Sequence, residues 1–291
     1  MSSLHLVDAP IYVFRAYYSM PPNFYDQEGN LVHALLGYTS FLLDLRERGI
    51  SRAAVAFDES LNTCYRNEIY PEYKANRELP DENIKYQFQR CQELTQLLGF
   101  RSFCCEAYEA DDIIGSLAKQ FGEGADVVIV SRDKDLGQLL RSNDLLWDFA
   151  NDDYMGPAEV EEKFGVPPSG IADFLALAGD SVDNIPGAPG IGAKTAALLL
   201  QEFGSLDSLL ENSEQVLSSK IRGAKRFAGI LKEHSADIRI FRRVTAIHCD
   251  MELNVKTQDL GVGQVDPAVL DFCQEMKIPG RTTGRIEKLL S

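Results

Sequence analysis

Short apolar runs alternate with longer stretches of helical spacing along the first half of the chain. Leu4 to Val7, Ala53 to Phe57, Ser102 to Cys105, Asp126 to Val130 and Leu145 to Phe149 are compact, and several are β-branched, which predicts strands. Between them, apolar residues recur every three or four positions over Val32 to Arg48 (Leu35, Leu36, Phe41, Leu42, Leu45), Ile84 to Leu98, and Ala110 to Phe121. That spacing predicts helices with one face turned to a core. Strands alternating with helices predict the α/β class, a mostly parallel sheet flanked by helices.

Beyond about residue 155 the texture changes. Short helical segments broken by Gly and Pro are predicted at Pro157 to Phe164, Ile171 to Ala178, Ala193 to Phe203 and Leu206 to Leu210. A second, all-helical module over 156–243 follows from this, after a first domain over 1–155. Val244 to Cys249 carries a weak strand signal, and 244–291 is expected to pack back on the core. No repeat or low-complexity tract interrupts the pattern.

Composition adds bounds. At 291 residues, with 45% hydrophobic and 25% charged, the chain falls in the globular range and has length for about two domains. No apolar stretch approaches the ~18 residues that would cross a bilayer, and the first residues carry no basic leader, so a soluble, untargeted protein is expected. The six cysteines form no CxxC, and adjacent Cys104 and Cys105 would be strained as a disulfide, which fits a reducing cytoplasm.

Charge changes the picture. With 44 acids against 29 bases, the formal charge of -15 argues against indiscriminate binding of polyanions unless the acids are concentrated or compensated. They are concentrated in a pattern. Asp8 follows the first predicted strand, Asp58 the second, Glu109 with Asp111 and Asp112 the third, and Asp133 with Asp135 the fourth. Ligands of open parallel sheets bind outside the carboxyl ends of the strands, so acids distant in sequence would converge there. Asp180 and Asp183, three apart, would share a helical face or form an ordinary turn. A cluster of like charges persists only with protons or cations between them, and all-oxygen ligands point to Mg²⁺ or Mn²⁺. Two such ions are a standard clamp for phosphodiester hydrolysis. The plainer reading is that these acids cap helices; it leaves unexplained why every strand end carries an acid rather than Ser, Thr or Asn.

Basic elements flank the acids. Arg66, Tyr70, Tyr73, Lys74 and Arg77 recur at helical intervals; either they are a solvated helix face, or Lys74 and Arg77 hold a phosphate and Tyr73 stacks on a base. Between 216 and 243, eight basic residues, among them Lys220, Arg222, Lys225 and Arg226, stand against only Glu233 and Asp237. The run Gly187-Ala188-Pro189-Gly190-Ile191-Gly192-Ala193-Lys194-Thr195 is not a P-loop, because Ala193 separates Gly192 from Lys194 and no strand precedes it. It suits a hairpin whose exposed N–H groups meet a DNA phosphate, or a tight interhelical turn. His5, His33, His234 and His248 have no ligand spacing, and neither zinc nor a nucleophilic serine or cysteine is supported.

These residues jointly resemble a known family. Leu6-Val7-Asp8, Phe57-Asp58, Tyr73-Lys74-Ala75-Asn76-Arg77, Glu109-Ala110-Asp111-Asp112, Asp133-Lys134-Asp135 and Gly179-Asp180-Ser181-Val182-Asp183-Asn184-Ile185-Pro186-Gly187, running into Gly190-Ile191-Gly192-Ala193-Lys194-Thr195, occur in the order found in the 5′ nuclease domain of bacterial DNA polymerase I. Stand-alone phage and bacterial 5′-3′ exonucleases share it, and flap endonucleases are more distant kin. The resemblance implies a PIN-like core, a helix-hairpin-helix module gripping duplex DNA, and an arch near 66–95 that threads a 5′ end. It implies that Asp58 and Asp111 bind a first metal and that Asp133, Asp135 and Asp183 join Asp111 around a second. Asp8, Glu109, Asp112 and Asp180 would act through water, and Lys74 and Arg77 on phosphate. DNA contacts would fall to Arg66, Tyr73, Gly190, Gly192, Lys194, Thr195 and the basic run, with K⁺ at the hairpin. A monomer in the bacterial cytoplasm and nucleoid, working beside a replicative polymerase, is implied. The sequence departs from the pattern at Ala9, where glycine is usual, at Arg132, where a small residue is common, and in ending at Ser291 without a polymerase. Competing expectations are a structure-specific DNA-binding protein with impaired catalysis and a PIN-type ribonuclease.

Overall fold

The computed structural model describes residues 2–59, 64–78 and 80–291. In chain order its elements are β1 (Leu4–Asp8), α1 (Ala9–Ser19), α2 (His33–Glu47), β2 (Ala53–Asp58), α3 (Tyr65–Ile69), α4 (Glu82–Leu97), β3 (Arg101–Cys105), α5 (Ala110–Phe121), β4 (Val127–Val130), β5 (Leu145–Asp148), β6 (Asp153–Met155), α6 (Pro157–Phe164) and α7 (Ile171–Ala178). There follow α8 (Ala193–Phe203), α9 (Leu206–Glu211), α10 (Ala224–Glu233), α11 (Ser235–Thr245), α12 (Val269–Glu275) and α13 (Gly280–Leu290), with a 3-10 turn at Lys134–Leu139 among others.

The chain divides into two compact units that do not follow its order. One comprises Met1–Asn62, Leu79–Arg132 and Cys249–Ser291; the other comprises Thr63–Glu78 and Asp133–His248. The mainly helical unit thus joins Asp133–His248 with a segment from the middle of the first half.

In the first unit, β1 pairs in parallel with β2 and with β4, and β2 pairs in parallel with β3. The order is thus β3-β2-β1-β4, and the winding reverses beside β1. β1, β2 and β4 are buried on both faces, which is why they read as continuous apolar runs, whereas β3 at the edge is part-exposed. Leu4, Leu6, Val7, Val55, Phe57 and Val130 form the core with Leu35, Leu42, Ile113 and Ile114 from the helices. Helix α1 carries no strong periodicity, and its start is hidden in Asp8-Ala9-Pro10, where proline near the first turn suits a helix N-terminus. The C-terminal segment is tied into this unit by Arg285, which donates to Asp44 at 2.6 Å and to Glu47 at 2.8 and 2.9 Å.

The second unit is mainly helical, with β5 and β6 pairing as an antiparallel hairpin through Leu146–Met155, Trp147–Tyr154 and Asp148–Asp153. Val244 to Cys249 is not a strand. Helix α11 runs on to Thr245, and side chains take the backbone groups a strand would have paired: Arg66 donates to the carbonyls of Val244 and Ala246, and Gln138 accepts from Ile247 N–H. Among the described residues no helix is long and apolar enough to cross a membrane.

Candidate active site

In the sheet unit each candidate acid stands at a strand end or in the turn of helix that follows. Asp8 closes β1, is buried, and accepts from the Ser131 hydroxyl at 2.6 Å. The reversal of strand order beside β1 makes its carboxyl end the place where open parallel sheets bind ligands. Ala9 opens α1 fully buried. Asp58 closes β2 and accepts from Ala110 N–H at 2.7 Å, so it caps the first turn of α5. Asp112 is fully buried and accepts from Glu109 N–H at 3.1 Å, an arrangement that fixes the entry of the same helix. Asp111 lies between them, half-buried. Capping is therefore real at Asp58 and Asp112, and it also rigidifies both carboxylates.

In the helical unit four acids come from two turns. Asp133 accepts from Asp135 N–H at 2.8 Å at the start of the Lys134–Leu139 turn. Asp180 and Asp183 occupy the turn after α7, closed by reciprocal backbone bonds between Asp180 and Ile185 at 2.8 and 2.7 Å. Burial pushes the Asp135 carboxyl up to about 8, aided by repulsion from Asp133 and Asp180. Asp133 is raised too, by burial first and then by Asp183 and Asp180, while the Asp135 N–H and the Lys74 ammonium pull the other way. Asp135 Oδ1 is buried and has no hydrogen-bond partner.

Lys74 and Arg77 do not lie on a helix. Helix α3 ends at Ile69, and Tyr70 precedes Pro71, which disfavours a further helical residue; 71–76 form successive turns. Arg77 donates to Asp183 Oδ1 at 2.6 Å, and the Tyr73 hydroxyl donates to Asp183 Oδ2 at 3.0 Å. Two of these side chains are buried. Tyr73, in the turns beyond Tyr70, is 4% exposed, with its hydroxyl on Asp183. Arg66, on α3, is 3% exposed, its guanidinium bonding the Val244 carbonyl at 2.9 Å and the Ala246 carbonyl at 3.2 Å.

The donor set suits a hard divalent cation: only carboxylate oxygens, two of the carboxylates in the helical unit raised in proton affinity chiefly by burial and then by their acidic neighbours, with one buried oxygen lacking any donor. Among the described residues no three acidic, histidine or cysteine side chains are drawn to metal-ligand spacing. Like charges separate where local donors satisfy them, and Ser131, Ala110 N–H, Asp135 N–H, Tyr73 and Arg77 do so here.

The glycine run forms the link between α7 and α8, with Gly192 as the residue before α8. Gly190 has φ +74°, a left-handed conformation that favours glycine, and it faces the guanidinium end of the exposed Arg226 side chain. Gly190, Gly192 and Lys194 are exposed, and Thr195 is half-buried. The first N–H groups of α8 have no partner within the helix. Lys220, Arg222, Lys225 and Arg226 are exposed as well. The rest of the basic run is partly neutralised, Lys232 by Glu214 at 3.1 Å, Arg239 by Asp207 and Arg242 by Asp173.

Residues 3–165 match the 5′-3′ exonuclease N-terminal resolvase-like domain, and residues 166–268 match the 5′-3′ exonuclease C-terminal SAM fold. The chain is 38% identical over 284 residues to DNA polymerase I of Rhizobium leguminosarum, covering 94% of this chain but 27% of that protein. It is 33% identical over 258 residues to a 5′-3′ exonuclease of Buchnera aphidicola, covering 88% of this chain and 89% of that one. Among solved structures, T5 5′-exonuclease with bound zinc superposes with a TM-score of 0.70 at 19% identity, over 99% of this chain and 98% of that one. The catalytic core of Rad2 in complex with DNA substrate superposes with a TM-score of 0.66 at 15% identity, over 100% and 93%. The fold is thus a mostly parallel sheet flanked by helices with a helical C-terminal module, and the chain belongs to the 5′-3′ exonuclease family.

Proposed function

We propose that this chain is a divalent-metal-dependent 5′ nuclease that cuts DNA at 5′ ends or 5′ flaps where single strand meets duplex, in replication and repair. The observation that carries the reading is the group Asp133, Asp135, Asp180 and Asp183 on two neighbouring turns, with burial raising the proton affinity of the first two and with Lys74 and Arg77 set against it. Asp58 and Asp111 would hold one ion, and Asp133, Asp135 and Asp183 another. Asp8, Glu109, Asp112 and Asp180 would order the water around them. Mg²⁺ is the natural occupant of an all-oxygen set, and Mn²⁺ would substitute.

When bound, such ions activate a water and neutralise the departing oxygen. The remaining work falls to the chain. Lys74 offers a point charge and Arg77 a planar fork to the phosphate beside the cut. Tyr73 keeps Asp183 turned correctly. Backbone N–H groups at Gly190, Gly192 and Lys194, the Thr195 hydroxyl, and Lys220, Arg222, Lys225 and Arg226 would hold the duplex backbone without reading its sequence. The products would be a 5′-phosphate and a 3′-hydroxyl. A monomer, a K⁺ ion at the hairpin, a polymerase partner and a place in the cytoplasm at the nucleoid complete the reading.

The test is cleavage of a labelled 5′-flap duplex under Mg²⁺, Mn²⁺ and chelator. Metal-dependent product, lost in Asp111→Asn while DNA affinity persists, is expected. Tight binding without product under any divalent ion would favour a DNA-binding role instead, and undiminished cleavage by Asp111→Asn would remove Asp111 from the site.

A further inference from the structure

Lys74 has φ +55° and Asn184 has φ +58°, two of the four non-glycine residues among those described in the left-handed region. Asparagine tolerates that conformation; lysine does so only where its surroundings enforce it. The enforcement is visible. Lys74 N–H donates to the Asp183 carbonyl at 3.0 Å, the Asn184 side-chain amide to the Glu72 carbonyl at 2.7 Å, and the Asn76 side-chain amide to the Ser181 carbonyl at 2.9 Å. These bonds tie 72–76 onto 181–184 on both sides of Lys74. The Lys74 ammonium then lies 4.9 Å from the centre of the Tyr73 ring, a ring itself fixed by Asp183.

We propose that Asn184 and Asn76 are positioning residues for catalysis: their amides hold Lys74 in its left-handed conformation and so aim its ammonium at the reacting phosphate. The inference rests on the reading of Lys74 as a phosphate contact. Nothing else in the two asparagines suits the chemistry, since neither carries charge and both amides are spent on main-chain carbonyls of the opposite turn. Without them the lysine relaxes to an ordinary backbone conformation, which turns its side chain. A misplacement of about 1 Å costs on the order of 100-fold in rate.

The experiment is a double-mutant cycle on the full chain, read by single-turnover and steady-state cleavage of a 5′-flap duplex with Mg²⁺. Asn184→Gly keeps the backbone freedom and deletes only the amide; Asn76→Ala deletes the other. Each is expected to lower kcat roughly 10- to 100-fold with KM and duplex affinity within about threefold, and to have little further effect in a Lys74→Ala background. Unchanged thermal unfolding of Asn184→Gly and Asn76→Ala guards against a folding defect. Equal losses with and without Lys74, or unchanged kcat, would overturn the proposal. A wild-type chain that cleaves nothing would instead overturn the nuclease reading on which it rests.

Discussion

The guanidinium of Arg77 and the carboxylate of Asp183 form an ion pair of 2.6 Å, so a cation read as a phosphate grip and an acid read as a metal ligand occupy one another. Arg77 is 48% exposed in its side chain and Asp183 is 21% exposed, so the pair is screened and worth at most about 1 kcal/mol. Arg77→Met should therefore tighten Mn²⁺ binding to the DNA-free protein by roughly two- to fivefold while reducing cleavage. Calorimetric titration with Mn²⁺ checks this; weaker binding would mean that the arginine does not compete with the ion.

Asp135 ties the acid group to pH. Its carboxyl is raised to about 8 in the folded chain, chiefly by burial. A raised folded-state value means that the folded protein holds a proton the unfolded chain gives up, so this contribution to stability is full at low pH and lost as pH rises through about 8. In chelator, the melting temperature is expected to fall between pH 6 and pH 9. Asp135→Asn should flatten that slope and abolish the proton release that accompanies Mn²⁺ binding in the native chain. An unchanged slope in the variant would place the titration elsewhere.

Arg66 makes a prediction of the opposite kind. Its buried guanidinium satisfies the carbonyls of Val244 and Ala246, and it lies 4.8 Å from the centre of the Tyr65 ring. Arg66→Ala should cost about 2–4 kcal/mol of stability, because a cavity and two unsatisfied acceptors remain. The salt dependence of DNA binding should not change. Denaturant unfolding measures the first and binding at several salt concentrations the second.

At the hairpin, Gly190→Ala forces a side chain into φ +74° and displaces the flexible Arg226 guanidinium. Duplex affinity is expected to drop about tenfold, with the rate at saturating DNA preserved. Lys194→Ala should weaken binding of all sequences alike and reduce the slope of log affinity on log salt by about one. Fluorescence anisotropy with a duplex lacking a flap reads both, and equal affinity would remove the hairpin from the interface.

Much of this architecture was legible before any coordinates. Helices α5, α6, α7 and α8 begin and end where the sequence says, because caps, prolines and glycines mark their termini. The strands shift by a residue at most. Other elements are less legible, α12 and α13 of the last stretch among them. Tyr70 to Arg77 carried helical spacing, yet Pro71 denies Tyr70 a helical conformation, a signal present in the sequence and outweighed by periodicity. Val244 to Cys249 carries a weak strand signal, while its main-chain partners are side chains from distant positions. Helix α1 went unread because its buried residues mix aromatic and small side chains.

What the amino-acid order determined by itself is local and chemical: which segments are strands and helices, that an acid stands at the end of each parallel strand, and that glycines precede α8. Those properties follow from periodicity, caps and residue type, which act over a few neighbours. Tertiary structure alone decided that Tyr73 and Arg66 face inward, that Arg77 lies on Asp183, and that burial raises the proton affinity of Asp135. Direction of a side chain and desolvation of a charge depend on what packs against it from elsewhere in the chain, and no local pattern encodes that neighbour.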